Sequence, residues 1–511
     1  MDLEEIYRRF TDGARSGAVR AGWVERYMDS PITFWCGLHV PQDAKESMTD
    51  FQQHLFDVGN SHQTLVNDKM YPGGIQEVFS SEEEGFHRSL EVMAAGSILL
   101  KNMPLVSWPD GLTGRPDVLE RVDGVPSVFG DFSYRVVEVK SSRRLRESHK
   151  LQAALYNRVL GLVQGYEPPE FQMVNRDFEI VPVIMSEVDE RLGQILEEVR
   201  EIRAGKSVDF CYGVAGWPWT TYVDEQAVAA GDVSLITGVG DSVRVKLVEA
   251  GYRTIESIAK ANETELVSIK RIGDATAKKM VVSAQAIHAK KPVRREELGE
   301  LRRGKTEVFF DFEGAQEHDL VDGLELVNYL IGAVYRTPGS EAKYIPFFAD
   351  TFDQEDPNLV EFLKWADSLE DPVFYHWHHY ERTHLMKMVE RYGVDPQLAA
   401  VVIDRLEDLS PWTTKAYAFP AYGESLKSIA KCLDFSWRQT DVSGVGSMDL
   451  YLKYVDSGST DETSKQKIII YNEDDCFATM HIYDWVMAQE AQLYNGKSTI
   501  ITKQTALRSL E

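Results

Sequence analysis

The apolar positions of this chain change period along its length, and the changes mark out its organisation. From the start to about residue 230, helical spacing alternates with β-rich runs. Apolar residues recur at helical intervals around residues 45–66, through FQQHLFDVGNSHQTLV. DVLERV and YRVVEVK then read as strands separated by the turn-rich DGVPSVFGD, and HKLQAALYNRVLGLV returns to an amphipathic helical period. Residues 231–292 change character. Two similar stretches, LITGVGDSVRVKLVEAGY and LVSIKRIGDATAKKMVVSAQA, each set an apolar residue and a Gly turn before a Lys-bearing helix, as a tandem repeat would. KKPVRREELGELRRGK reads as a charged linker. Strand patterning resumes with TEVFFDFEG, its hairpin partner NYLIGAVYR and the later PVFYHW, before a long helical pattern from Ser464 to about Ala491. The pattern predicts a multidomain α/β chain in three parts, 1–230, 231–292 and 293–511, the middle one all-α.

At 511 residues, 43% hydrophobic and 11% aromatic, the chain can bury several cores. No apolar run approaches the ~20 residues of a membrane-spanning helix. The charged start MDLEEIYRRF is unlike a secretory leader, so a cytoplasmic location without a membrane partner is expected. Cys36, Cys211, Cys432 and Cys476 are scattered with no CxxC pair, which disfavours structural zinc and a disulfide framework. A net charge of −26 sits awkwardly with a nucleic-acid partner, because phosphate binding relies on Lys and Arg. The distribution alters that picture: residues 241–295 hold twelve Lys/Arg against six acids. Basic charge is concentrated in the Gly-turn repeat.

Three clusters carry candidate chemistry. In the first, GRPD sets Asp117 just before a strand, and EVK sets Glu138 and Lys140 on one face of the next. Two acids and a lysine so arranged hold a divalent cation and a water together, magnesium or manganese being suited to such oxygen donors. Gln152 and Tyr156 follow as QxxxY, one helical turn apart, and His62 stands upstream on a helix. Together these resemble the RecB-like branch of the PD-(D/E)XK nucleases, over about residues 30–160. The resemblance implies a restriction-endonuclease-like core. It also implies Asp117 and Glu138 as metal ligands assisted by His62, Lys140 as the catalytic lysine, and Gln152 with Tyr156 as supports. Some relatives hold an iron–sulfur cluster on four cysteines; only Cys36 and Cys211 flank the motifs here, so no cluster is expected.

In the second, Gly238-Val239-Gly240 between Ile236 and a basic helix resembles a helix-hairpin-helix motif, whose turn amides face a phosphate. Arg244 and Lys246 lie just beyond. The second copy keeps Gly273, with Lys278 and Lys279 following, but lacks the first Gly. The resemblance implies sequence-independent contact with a nucleic-acid backbone.

In the third, Asp311 and Glu313 end an apolar strand on one face, Glu381 follows in HWHHYE, and Tyr471 and Asp475 lie one helical turn apart in YNEDD. Acids converging this way repel unless a cation sits between them. The arrangement resembles the DnaQ-like, RNase H-fold 3′–5′ exonucleases, whose first motif is DxE and third YxxxD. It implies Asp311, Glu313 and Asp475 as metal ligands, with Glu381 as a further candidate at the metal, and Tyr471 as the group that orients or deprotonates water. Where that family has Asn and then Phe/Tyr-Asp, this chain has His376 and Tyr380-Glu381. The whole order resembles a family of RecB-like nucleases: hydrolysis of phosphodiesters in single-stranded or broken-ended DNA is expected, with a ribonuclease or a non-catalytic nucleic-acid-binding scaffold as rivals. No P-loop is present, so an unwinding helicase would act in trans.

Overall fold

The computed structural model describes residues 2–13, 15–316, 326–439 and 444–508. The chain forms two compact units, Met1–Ala227 and Val228–Glu511.

In the first unit a five-stranded sheet runs in the spatial order Leu99–Lys101, Val118–Ser127, Gly130–Val139, Glu170–Val174 and Ile180–Ile184. All neighbours are antiparallel except Gly130–Val139 with Glu170–Val174. That parallel pair requires a crossover, which the helix Glu147–Gln164 makes. The helix packs Leu151, Leu155 and Val159 with Tyr134 and Val136 of the ExK strand. Val137 and Val139, on the opposite face, pack with Val66, Tyr71, Val118 and Val174. The strand is therefore buried on both sides, and its apolar run is nearly continuous. The turn expected across DGVPSVFGD is shorter than its composition implies. The strand runs on to Ser127 with an irregular register between Asp123 and Ser127, so that only Val128 and Phe129 link the pair. Gly124, at φ +75°, absorbs the irregularity.

The second unit opens with the Gly-turn repeat, in which the helices Asp241–Glu249, Ile255–Ala259, Glu263–Val267 and Asp274–Ala289 bury Leu235, Leu247, Ile258, Leu266 and Met280. The stretch read as a charged linker is instead tied down. Val293–Arg294 pairs antiparallel with Tyr417–Ala418, and Arg294 meets Glu490 at 3.0 Å. A second five-stranded sheet follows, in the order Lys343–Phe348, Leu326–Arg336, Thr306–Gln316, Pro372–His376 and Leu406–Asp408. Its first three strands are antiparallel and the last two join in parallel. Phe310 and Phe312 pack beneath the helices Glu355–Asp367 and Tyr380–Tyr392. Phe309 faces the other way, toward the long helix Glu462–Arg508. Strand alternation therefore turns Asp311 and Glu313 toward the long helix. Among the described residues, no helix is long and apolar enough to cross a membrane.

Candidate functional site

The first centre follows from strand register. Val118 faces Val137, so the residue before it, Asp117, comes up beside Glu138. Asp117 accepts the Val139 N–H at 2.8 Å, and its own N–H reaches Glu138 Oε2 at 3.4 Å. Burial pushes Asp117 up to about 6, against the Val139 N–H and the Lys140 charge. Burial and the Asp117 charge raise Glu138 further. Lys140 lies 3.6 Å from Glu138 and donates to Gln152 Oε1 at 2.6 Å and Glu25 Oε2 at 3.1 Å. Burial opposes its charge, but Glu138 and Glu25 outweigh that and keep it an ammonium. Gln152 Nε2 in turn donates to the Tyr156 hydroxyl at 3.2 Å. The GxxD glycine belongs to this chain of contacts, since a Cβ on Gly114 would lie 2.4 Å from the Tyr156 ring.

One residue departs from expectation. His62 is not gathered with these acids: its ring lies by Phe178, centroids 5.6 Å apart, and burial lowers its pKa, with Asn175 and Arg176 also acting on it. The adjacent Gln63 donates to Asp117 instead. One position along a helix is a turn of about 100°, enough to swap which side chain faces the acid. Glu25, on the helix Ala21–Asp29, joins the centre with no motif to announce it.

At the second centre, one ligand atom from each of Asp311, Glu313 and Asp475 lies within 4.8 Å of the others. Asp311 faces Gly332 across the hairpin, and a Cβ there would lie 1.6 Å from Asn472 Oδ1. The glycine lets the long helix approach until Asn472 Nδ2 donates to Asp311 Oδ2 at 3.0 Å. Tyr344 completes the amide by donating to Asn472 Oδ1 at 2.9 Å. Trp437 Nε1 donates to Asp475 Oδ1 at 2.6 Å. Glu381 is buried beside the triad, where its charge acts on Asp311. A sharp strand-to-helix turn, with His378 at φ +66° and its N–H on Asp408, delivers it there. Its Oε2 is buried with no hydrogen-bond partner, 3.5 Å from His376 Nδ1. His376 is itself buried and bonded to the His378 carbonyl at 2.5 Å, so it does not present to a phosphate.

Burial pushes Asp475 up to about 6 and Glu381 to about 8, and raises Asp311 and Glu313 well above the usual carboxylate range. The Tyr471 phenol is also driven up, by burial and then by Asp475 and Glu313. Its hydroxyl stands beside Asp475. Sequence reasoning missed Asn472, Trp437, Tyr344 and Lys427, whose charge opposes the rise of Asp311, Glu313 and Asp475. Only Asn472, inside YNEDD, carried a signal.

In the repeat, Gly238 takes φ +87° and Gly240 caps the helix Asp241–Glu249. The second turn keeps the same course without its first glycine: Arg271 takes φ +78° and Gly273 caps Asp274–Ala289. Val239 and Ile272 are buried, and each donates its N–H to the isoleucine carbonyl three residues back at 3.0 Å. A left-handed Arg costs about 1–2 kcal/mol, which the buried Ile272 helps to hold. Lys246 is half-buried and donates to the Lys270 carbonyl at 3.3 Å. Partial desolvation and the positive charges of Arg271 and Lys270 lower its pKa, so three cations share one surface. Arg244 is corrected: it is 7% exposed and bidentate to Asp232 at 2.9 and 2.8 Å, a structural pair unavailable to phosphate. Lys279 is likewise engaged, with Glu424 at 3.0 Å, and Lys278 stands 3.9 Å from Glu296.

Comparison with known proteins places an RNase H superfamily domain at residues 308–487 and a SAM-like helix-hairpin-helix tandem at 231–286. The chain is also similar to the DNA repair and recombination protein RadA of Methanoculleus marisnigri, 44% identical over 54 residues, which are 11% of this chain and 17% of that protein. The chain thus spans about a sixth of that relative's length. The RNase H superfamily domain indicates a nucleic-acid-processing nuclease, a class that generally uses divalent metals, and the tandem indicates nucleic-acid binding.

Proposed function

We propose that this chain is a metal-dependent nuclease with two carboxylate centres, acting on single-stranded or broken-ended DNA. In this reading residues 1–230 form a RecB-like PD-(D/E)XK nuclease domain, 231–292 grip the backbone, and 293–511 form a DnaQ-like exonuclease domain. The observation that carries it is the convergence of Asp311, Glu313 and Asp475 within 4.8 Å inside an RNase H superfamily domain. A hard divalent cation fits that donor set: the oxygens are carboxylate, buried and raised in pKa, and Glu381 Oε2 lacks a partner. Asp311, Glu313 and Asp475 would hold such an ion, and Asp117 with Glu138 would hold one at the first centre. When bound, magnesium or manganese supplies Lewis-acid stabilisation of charge on the phosphoryl oxygens.

The chain's own groups do the rest. Asn472 and Trp437 fix the orientation of Asp311 and Asp475, and Tyr471 presents a hydroxyl beside Asp475. At the first centre the Lys140 ammonium, aimed by Gln152, is set to orient water and to meet charge developing on phosphorus. Support for the RecB-like assignment comes from the order helix, three antiparallel strands, crossover helix, parallel strand, and from GRPD, EVK and QxxxY meeting in one chain of contacts. DNA is preferred to RNA because of the helix-hairpin-helix tandem and the similarity to a protein described as acting in DNA repair and recombination.

The test is a cleavage panel of single-stranded, duplex and branched DNA and RNA, each with magnesium, manganese or chelator. Chelator-sensitive release of nucleotides from DNA ends is expected. Binding without any cleavage would leave a scaffold instead.

A further inference from the structure

Beside the second centre lies a cavity of about 440 Å³ lined by Lys427, Lys431, Asp434, Phe435, Trp437 and Gln439. Neither the acid cluster nor the Gly-turn surface explains its chemistry. Lys427 and Lys431 sit four apart on the helix Leu426–Cys432 and so share a face. Phe435 and Trp437 meet edge to face, ring centroids 4.8 Å apart and planes at 81°. Trp437 spends its indole N–H on Asp475, so one side chain is both a wall of the cavity and a support of the acid cluster. The Lys427 ammonium lies 4.4 Å from the centroid of the Tyr471 ring, and its charge acts on Asp311, Glu313 and Asp475.

A cluster of acids repels a polyanion, so a strand approaching it needs cations close by and something to hold its bases. Both line this cavity, with the Lys427 ammonium 5.9 Å from the centroid of the Trp437 ring. Lysines suit phosphate oxygens, and an exposed aromatic edge or face suits any unpaired base, because every base has a π-face. The volume is that of a small-ligand pocket, suited to one nucleotide and too small for a paired duplex step.

We infer that this cavity is a nucleotide subsite, receiving one unpaired nucleotide of the strand whose phosphate lies at Asp311, Glu313 and Asp475. Lys427 and Lys431 take its phosphate oxygens, and Phe435 takes its base. The inference rests on the nuclease reading of this centre and narrows its substrate to strands with an unpaired end.

The test uses full-length protein carrying Lys140→Ala, so that only the second centre reports. Phe435→Ala and Lys431→Glu are added separately. Rates with manganese are measured on a short oligo(dT) and on bis(p-nitrophenyl) phosphate, which has no base. Binding of labelled oligo(dT) is followed by anisotropy. Each variant is expected to raise KM for oligo(dT) and weaken its binding about tenfold, and to raise KM for the smaller ester less. Unchanged KM in both variants, with ester turnover intact, overturns the subsite. No turnover of either substrate by the parent, with binding still lost in the variants, overturns the nuclease reading of this second centre and keeps the subsite. Lys431 is exposed, so its variant separates loss of binding from loss of fold.

Discussion

At the first centre a lysine is built into the acid pair, with Lys140 3.6 Å from Glu138 and fixed by Gln152 and Glu25. At the second, three acids converge within 4.8 Å, and Lys427 stands off against the Tyr471 ring. Buried like charges must be compensated or neutralised. The first centre meets that demand partly from its own chain. The second meets it with protons, with a cation, or with both. Two carboxylate sites on one chain are thus expected to differ in how strongly a divalent ion and pH act on them. The Asn472 and Trp437 bonds that orient acids at the second centre have a counterpart at the first in the Gln152–Lys140 bond, which orients a cation.

The largest expected effect comes from removing one charged group from each. Asp311→Asn is expected to cut the second centre's turnover on the order of 10²–10³-fold, and Lys140→Ala to cut the first's by a similar factor, with binding largely kept. The double variant is the control. Residual end-directed cleavage in Lys140→Ala that vanishes in the double variant establishes two working centres. If Lys140→Ala alone removes all cleavage, the comparison reduces to one live centre and one acid cluster without activity.

A smaller effect separates the supporting contacts. Gly332→Ala puts a Cβ 1.6 Å from Asn472 Oδ1, and Gly114→Ala puts one 2.4 Å from the Tyr156 ring. Each is expected to cost about 1–3 kcal/mol of stability, since overpacking must be relieved by moving a motif side chain. Turnover should fall selectively, at the second centre for Gly332→Ala and at the first for Gly114→Ala. Thermal unfolding and the two cleavage assays check both. An unaltered rate in Gly332→Ala would mean that Asp311 does not need its amide partner.

Those two glycines show what was and was not legible in the sequence. Asp117, Glu138, Lys140, Gln152 and Tyr156 stood out because strand and helix periods put them on shared faces, and a face is a local property. The same holds for Asp311, Glu313, Tyr471 and Asp475. Gly332 and Trp437 act across long stretches of chain, and Glu25 and Lys427 lie outside every motif; no period announces them. His62 and Gln63 differ by one helical position, a distinction set by the rotation of the helix Asp50–Lys69 rather than by spacing. Arg244 read as a phosphate contact because its charge is visible in the sequence and its partner, Asp232, twelve residues back, was not recognised. The five-stranded sheets were only partly foreseen, as the short strands Leu99–Lys101 and Leu406–Asp408 carry too few residues to show alternation.

The electrostatic contrast itself can be tested by pH. Asp475 is pushed up to about 6 and Glu381 to about 8, with burial the leading cause. In chelator, the native second unit holds protons that the unfolded chain has already released above about pH 4. Its stability is therefore expected to fall as pH rises from about 4 to about 8. Asp117 adds a similar loss up to about 6 in the first unit and Glu138 continues it above that, but Lys140 is raised, a stabilising contribution that persists until alkaline pH. Calorimetry of the full chain should show two transitions whose separation changes with pH. Manganese at a hundredfold excess over its Kd would add about 2.7 kcal/mol to whichever unit binds it. A second-unit transition flat from about pH 5 to about pH 8 in chelator would remove the contrast.

The smallest expected effect concerns which centre the Gly-turn surface serves. The repeat is fastened within the second unit by the Val293–Arg294 strand and by Lys279 on Glu424. Lys246 shares its surface with Lys270 and Arg271, whereas Arg244 is locked to Asp232. Lys246→Ala removes one phosphate contact, so the slope of log binding constant against log salt should become shallower by about one and the fold stay intact. Arg244→Ala should do the reverse, destabilising the repeat by stranding a buried Asp232, since breaking one half of a buried pair costs about 3–5 kcal/mol. If the repeat feeds its own unit, Lys246→Ala raises KM for cleavage by the second centre, measured in the Lys140→Ala background, and leaves the first centre, measured in Asp311→Asn, alone. An equal rise at both centres would mean that a single bound strand serves the two sites, and the independence assumed in comparing them would fail.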